Sequence, residues 1–198
     1  METKNSQGRI LECALNLFAE FGYEAVGVNE IAGKSGITKP TLYYFFGSKE
    51  GLFTSVIKEN YQRLNDQLAE VCVYDPHPNE YDRDVFPQLV AIVNAYFAFA
   101  VENPVFYRLT LSLSFAPPTS QSAILSQPIH REQYQMVNSF FSAISSVHHN
   151  LHGREDLLTT SFIAIINAQI GLWYRGLATL DQDTSAALVK LFMHGIFA

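Results

Sequence analysis

The run Thr38-Lys39-Pro40-Thr41-Leu42-Tyr43-Tyr44 sets threonine hydroxyls, one ammonium and two phenol rings side by side. Nothing in it pairs a nucleophile with a base, so its chemistry is recognition. Hydroxyls and lysine reach phosphates or base edges, and ring edges and threonine methyls touch thymine methyl groups. Leu42 and Phe46, four apart, mark the inner face of a short helix. Lys39, Thr41, Tyr43 and Tyr44 then project on its other faces. Ser48-Lys49-Glu50 begins a further helix. Its free N–H groups, with Lys49 beside them, form a phosphate clamp, and Glu50 complements the positive end of the dipole. An isolated Tyr-Tyr pair reads better as half-buried core rings with exposed hydroxyls. Directly after a turn glycine and a capped helix, nucleic-acid contact is the favoured reading.

The elements that must position this set lie in residues 26–53. A short helix from Val28 to Ser35 runs into Gly36, and a second from Lys39 to Phe46 follows Thr38. Thr38 caps the second helix, and Pro40 sits in its first turn, where a missing N–H is harmless. Gly27 is a weaker cap for the first. Ala32 and Gly36 let two helices approach, with the glycine taking the positive φ of the turn. Two short helices about such a turn make a helix-turn-helix. A helix from about Thr3 to Phe21 precedes it, with Ile10, Leu11, Ala14, Leu15, Phe18 and Phe21 as its apolar stripe, Cys13 on that face and Gly22 as C-cap. A long helix follows, from Ser48 to about Cys72.

The string G-Y-E-A at Gly22–Ala25, then E-I-A at Glu30–Ala32, then G-I-T-K-P-T-L-Y-Y-F-F-G-S-K-E-G-L-F, resembles the DNA-binding domain of the TetR family of transcriptional regulators over about residues 8–55. The resemblance implies that Thr38, Lys39, Thr41, Tyr43 and Lys49 meet DNA. It also implies an all-helical ligand-binding domain and a homodimer. The chain departs from the pattern at Phe45, often a His or Tyr that donates to phosphate, and at Gly27, usually Ser or Thr. Tyr44 and Asn29 are the residues placed to compensate. The expected division is a DNA-binding domain over 1–47 and a helical ligand-binding and dimerisation domain over 48–198.

Beyond the long helix, residues 74–87 read as a loop. Its acidic residues Asp75, Glu80, Asp82 and Asp84 lack EF-hand spacing and read as a solvated linker. A fifth helix, Val85 to Glu102, is apolar on nearly every side and should be central. Asn103-Pro104 stops it, and a sixth runs from Val105 to Phe115. Residues 119–128 are small and polar, and Pro128 begins or kinks a seventh helix reaching about His149. His148, His149 and His152 suit a helix C-terminus better than a Zn or Ni site, so no metal is expected. Helices from Asp156 to Leu177 and from Thr184 to Phe197 close an all-α fold of about nine helices.

Helices five to eight carry more rings than a bare core needs. The candidate effector contacts are Tyr96, Tyr134, Phe141, Phe162 and Trp173, with Asn138 and Asn167 as polar residues in oily surroundings. The effector should be small and apolar or aromatic. Ile166, Ile170, Trp173, Tyr174, Leu188, Phe192 and Gly195 are the candidate interface to a second copy. The alternative is a purely internal hairpin. Dimerisation is favoured because one helix-turn-helix reads few base pairs, whereas a twofold pair reads two half-sites.

Composition bounds the rest. The net charge of −6 excludes nonspecific nucleic-acid binding as the whole activity. Residues 1–50 hold five basic against six acidic groups, so a local strip from Lys4, Arg9, Lys34, Lys39 and Lys49 remains possible. No apolar run approaches the ~20 residues of a membrane helix, and the N-terminus lacks a signal-peptide core. A cytoplasmic chain is expected, with Cys13 and Cys72 reduced and Cys13 buried. There is no nucleophile elbow, phosphate-cradling glycine loop or apolar carboxylate pair, so neither catalysis nor a cofactor is expected. The expected function is sequence-specific binding of duplex operator DNA, most simply as a repressor released by its effector. An activator of the same fold is the alternative, and a helical protein-interaction module is the rival of another class.

Overall fold

A computed structural model describes residues 2–80 and 83–195, with side chains from Ser6 onward. Among these, nine α-helices and one 3-10 turn form, and no strand. The helices are α1 (Glu2–Phe21), α2 (Val28–Lys34), α3 (Lys39–Phe46), α4 (Lys49–Val71), α5 (Val85–Glu102), α6 (Pro104–Ser114), α7 (Gln121–Val147), α8 (Glu155–Tyr174) and α9 (Gln182–His194). Their order and number follow the apolar periodicity. The far end of the expected ninth helix, Ile196 and Phe197, lies outside the described residues, as do Asp82 and the Lys4 side chain.

By packing, the chain forms two compact units. One compact unit holds residues 1–62 and 103–130, the other residues 63–102 and 131–198. Helices α4 and α7 each contribute to both. Helix α4 runs without interruption from Lys49 across the boundary at residues 62–63, and α6 packs on α1 and so joins the first unit.

In the first unit α1 buries Ile10, Ala14, Leu17 and Phe18. Phe21, expected on that stripe, is 51% exposed and lies under the Lys34 ammonium instead. It is the last residue of α1, where the chain turns away at Gly22. Cys13 is only partly buried. Phe18, Tyr23 and Phe53 form a ring cluster with centroids 4.6–5.6 Å apart. Deeper along α4, the Tyr61 hydroxyl meets His130 Nε2 at 3.1 Å, with the two rings tilted at 48° and their centroids 4.9 Å apart. Burial pushes the His130 ring from 6.5 down to about 4, so it is held neutral.

The largest departure from expectation is α7. It starts at Gln121, so Pro128 lies inside it and not at its start. A proline there leaves the Ile124 carbonyl without its helical partner. Strong capping upstream compensates. Ser120 Oγ accepts from the Ala123 N–H at 3.2 Å, and the Glu24 carboxylate accepts from the Ser122 N–H at 3.2 Å and its hydroxyl at 2.8 Å. Glu24 is 98 residues away in sequence, and no local pattern announces it.

The second unit is built on α5, which packs against α8 and α9. Helices α5 and α8 are each long and apolar enough to cross a membrane by length and composition, contrary to the sequence expectation. In α5 a buried stripe of Leu89, Ile92, Val93, Tyr96, Phe97, Phe99 and Ala100 accounts for that apolarity as core. In α8 only Thr159, Phe162, Ile166 and Ile170 turn inward, which leaves much apolar surface uncovered.

Candidate nucleic-acid interface

Helices α2 and α3 are joined as the sequence requires. Gly36 takes φ +67°, its N–H bonding the Gly33 carbonyl while the Ile37 N–H bonds that of Ala32. This pair of bonds closes the helix end and is open to glycine without strain. Thr38 then caps α3: its Oγ1 accepts from the Thr41 N–H at 3.4 Å and lies 2.8 Å from the Thr41 hydroxyl. Ile31, Ala32 and Leu42 are buried and fix the two helices to the core.

That leaves one face of α3 open. Thr38, Lys39 and Tyr43 are exposed, and Tyr44 is 83% exposed. Lys39 Nζ stands 5.7 Å from the centre of the Tyr43 ring. Thr41 is half-buried, its hydroxyl already engaged by Thr38. Asn29 is exposed on α2. Phe45 is half-buried against Tyr44 and Phe46, and Gly27 caps α2 with no side-chain bond. Lys34 is held by Glu30 at 3.2 Å.

Lys49 is positioned more tightly than sequence indicated. Its Nζ sits 4.2 Å above the Tyr23 ring at the N-terminus of α4. Burial lowers its pKa, and the Glu24 and Glu50 carboxylates oppose that shift. Burial and Glu50 push the Tyr23 hydroxyl up to about 12. The ammonium is thus aimed by an aromatic face instead of swinging free. Ser48 caps α4 through the Gly51 N–H at 3.0 Å. Gly51 itself escaped notice in the sequence. A Cβ there would overlap the Phe46 carbonyl oxygen, so only glycine permits the close turn from α3 to α4. A glycine in the first turn of a long helix, where propensity disfavours it, was the available signal.

The second unit contains a cavity of about 430 Å³, a size typical of small-molecule sites. Val85 and Leu89 of α5, Phe141 and Ile144 of α7, Leu158 of α8 and Phe192 and Met193 of α9 line it. Asn79, Asp84, His148 and Asn150 supply its polar groups. Asp84, expected in a solvated linker, is buried. Its Oδ1 accepts from the Tyr74 hydroxyl and the His77 N–H, both at 2.9 Å, and Oδ2 lies 2.7 Å from His148 Nε2. Burial raises the Asp84 carboxyl, but these donors outweigh it and the net direction is down. Among the described residues no metal-binding cluster forms, and His148 faces Asp84, not His152.

Of the expected effector contacts, Phe141 lines this cavity. Phe162 stands behind it, packed on Phe141 and Phe192. Tyr96 is core, its hydroxyl bonded by Gln133. Tyr134 and Asn138 do meet, but on the Asp156 carboxylate, each at 3.0 Å, where they tie α7 to α8. Asn167 and Trp173 are half-buried on α8 and are not in this lining. Of the expected interface residues, Ile166 and Ile170 are buried within their own chain, and Phe192 turns inward to the ring cluster. Their stripe is the inner one because it continues from Thr159 and Phe162 at helical spacing. Tyr174 and Gly195 are exposed, and Trp173 and Leu188 partly so. Exposed Leu157, Leu172, Leu177 and Leu191 extend that outer surface.

Comparison with known proteins agrees with this geometry. The family described as bacterial regulatory proteins, tetR family, matches residues 10–56. The HTH-type transcriptional activator FasR of Mycolicibacterium smegmatis is 31% identical over 189 residues, spanning 96% of this chain and 81% of that protein. The HTH-type transcriptional repressor AcnR of Corynebacterium glutamicum is 35% identical over 66 residues, 33% of this chain and 35% of that protein. The transcriptional regulator FadR of Bacillus subtilis, solved in complex with stearoyl-CoA, shares the fold with a TM-score of 0.75 at 17% identity, covering 95% of this chain and 98% of that one. A helix-turn-helix with an open, capped recognition helix, set in an all-helical chain like these, is that of a transcriptional regulator rather than an enzyme, and the chain belongs to the TetR family.

Proposed function

We propose that the chain binds duplex operator DNA as a homodimer and changes its operator affinity when an apolar effector occupies the second unit. The open face of α3 carries this reading. Tyr44 projects almost wholly into solvent from a helix whose other side is anchored by Leu42. Thr38, Lys39, Thr41 and Tyr43 accompany it as base or phosphate contacts, Asn29 supports them from α2, and Lys49 clamps a phosphate at the start of α4. Lost phosphate contacts at Gly27 and Phe45 make each head's grip weaker, so two heads acting together matter more.

The uncovered apolar surface of α8 and α9 supports the dimer. Trp173, Tyr174, Leu188 and Gly195 stay in the proposed interface, and Leu172, Leu177 and Leu191 join them; Ile166, Ile170 and Phe192 are better explained as each chain's own core. The cavity bounded by Phe141 supports an apolar effector, and the stearoyl-CoA complex of a protein of the same fold favours one with an acyl chain. Binding it would shift operator affinity by the usual coupling of about 1–3 kcal/mol.

Repression by occupying the operator is the primary reading, because it asks nothing of the protein beyond binding. Activation is the second, since the relative matched over almost the whole chain is an activator and the repressor match covers little beyond the head. Selection of bound sequences from random duplex DNA tests the proposal. Recovery of a palindrome with half-sites about one helical turn or more apart is expected. A protein-interaction module would recover no sequence.

A further inference from the structure

The cavity holds a single carboxylate, Asp84, with the His148 imidazole beside it. Its lining is apolar apart from two amides, His148 and Asp84. Among the described lining residues, Asp84 is the one carboxylate, and no lysine or arginine stands with it. His148 is already committed to Asp84 through Nε2 at 2.7 Å. The Tyr74 hydroxyl and the His77 N–H also point at this carboxylate, so Asp84 is held ionised. A ligand carboxylate brought into the same apolar surroundings would meet a fixed like charge, which disfavours both remaining ionised. An ester or thioester carbonyl meets no such opposition, and the lining also holds two neutral amides, Asn79 and Asn150.

We infer that the cavity admits acyl chains whose head is uncharged, an ester or thioester, and that Asp84 is the specificity-determining residue that rejects the free carboxylate. This rests on the reading of the cavity as the effector site. Asp84 acts as a filter, and the chain-binding affinity comes from Leu89, Phe141, Ile144 and Phe192.

Isothermal titration of the full chain at mildly alkaline pH, with octanoate, methyl octanoate and octanol as probes, tests it. The unsubstituted protein should bind the ester and the alcohol at least about tenfold tighter than the acid, since each tenfold is about 1.4 kcal/mol and a like-charge contact in a poorly solvated site exceeds that. Asp84→Asn should close the gap by strengthening octanoate alone. Because Asp84 also holds the Tyr74–His77 loop, Met193→Lys provides a second variant. It adds a cation to the same lining without touching those bonds, and should also narrow the gap. Octanoate binding as tightly as the ester, or an unchanged ratio in both variants, overturns the filter. Leu89→Trp fills the cavity and should abolish all three probes. If it leaves them bound, or if none binds the unsubstituted chain, the cavity assignment itself falls, and the filter with it.

Discussion

Tyr44→Ala separates recognition from folding. The Tyr44 ring is 83% exposed and packs edge-on against Phe45, with centroids 5.4 Å apart. Removing a ring so exposed opens no buried cavity. Stability should therefore stay within about 0.5 kcal/mol, as for other surface changes. Operator affinity should fall much further. A specific contact is worth about 1–3 kcal/mol, and the dimer makes it in both half-sites. Taking the low end, the dimer loses about 2 kcal/mol, or roughly thirtyfold in Kd at about 1.4 kcal/mol per decade. Fluorescence anisotropy on a duplex recovered by selection measures the affinity, and urea unfolding of the same sample measures the stability. Leu42→Ala is the contrasting control. Leu42 is 0% exposed on the opposite face of the same helix, and its truncation should cost about 2–5 kcal/mol of stability and lose operator binding with it. If Tyr44→Ala keeps its operator affinity within about twofold, or unfolds as Leu42→Ala does, the assignment of the open face is wrong.

Three further outcomes follow from the same geometry. Lys49→Gln should weaken operator binding and flatten the log–log salt dependence by about 0.9 per subunit, one phosphate contact each; an unchanged slope would show that Lys49 meets no phosphate. Gly51→Ala should lower the melting temperature and operator affinity together, because the new methyl displaces the Phe46 carbonyl at the α3–α4 turn; a variant as stable as the parent would remove that constraint. For His130, the fold prefers the neutral ring: an unfolded chain takes up the proton near 6.5 and the folded one near 4. The contribution is whole above the unfolded value and is lost as pH falls between the two, by about 3 kcal/mol. His130→Phe should flatten that acid limb in urea midpoints measured across the window, and an identical limb in both proteins would assign it to other groups.

Much of the reading head was legible because its rules are local. Capping by Thr38 and Ser48, the positive φ of Gly36, and the Leu42 anchor act over three or four residues, the range over which a helix repeats its faces. The same locality placed the helix boundaries, which depend on caps and prolines near at hand. It failed at α7, whose start is held by Glu24 from far away in sequence. Nor does it say which polar groups are free to meet a ligand. Tyr96, Tyr134 and Asn138 sit in oily helices as a ligand contact would, yet their hydroxyls and amide are used by Gln133 and Asp156. A polar group in an apolar helix needs a partner, and periodicity does not say whether that partner is a ligand or a neighbouring helix.

Periodicity and capping within single helices dictate the helical elements, the helix-turn-helix and the residues on the open face of α3. Tertiary structure decided which side of α8 faces inward, because an apolar helix offers no polar face to orient it. It decided that Lys49 rests on Tyr23, and that Tyr74 and His148 converge on the Asp84 carboxylate. Those groups come from segments far apart in the chain, and only packing brings them within hydrogen-bonding reach.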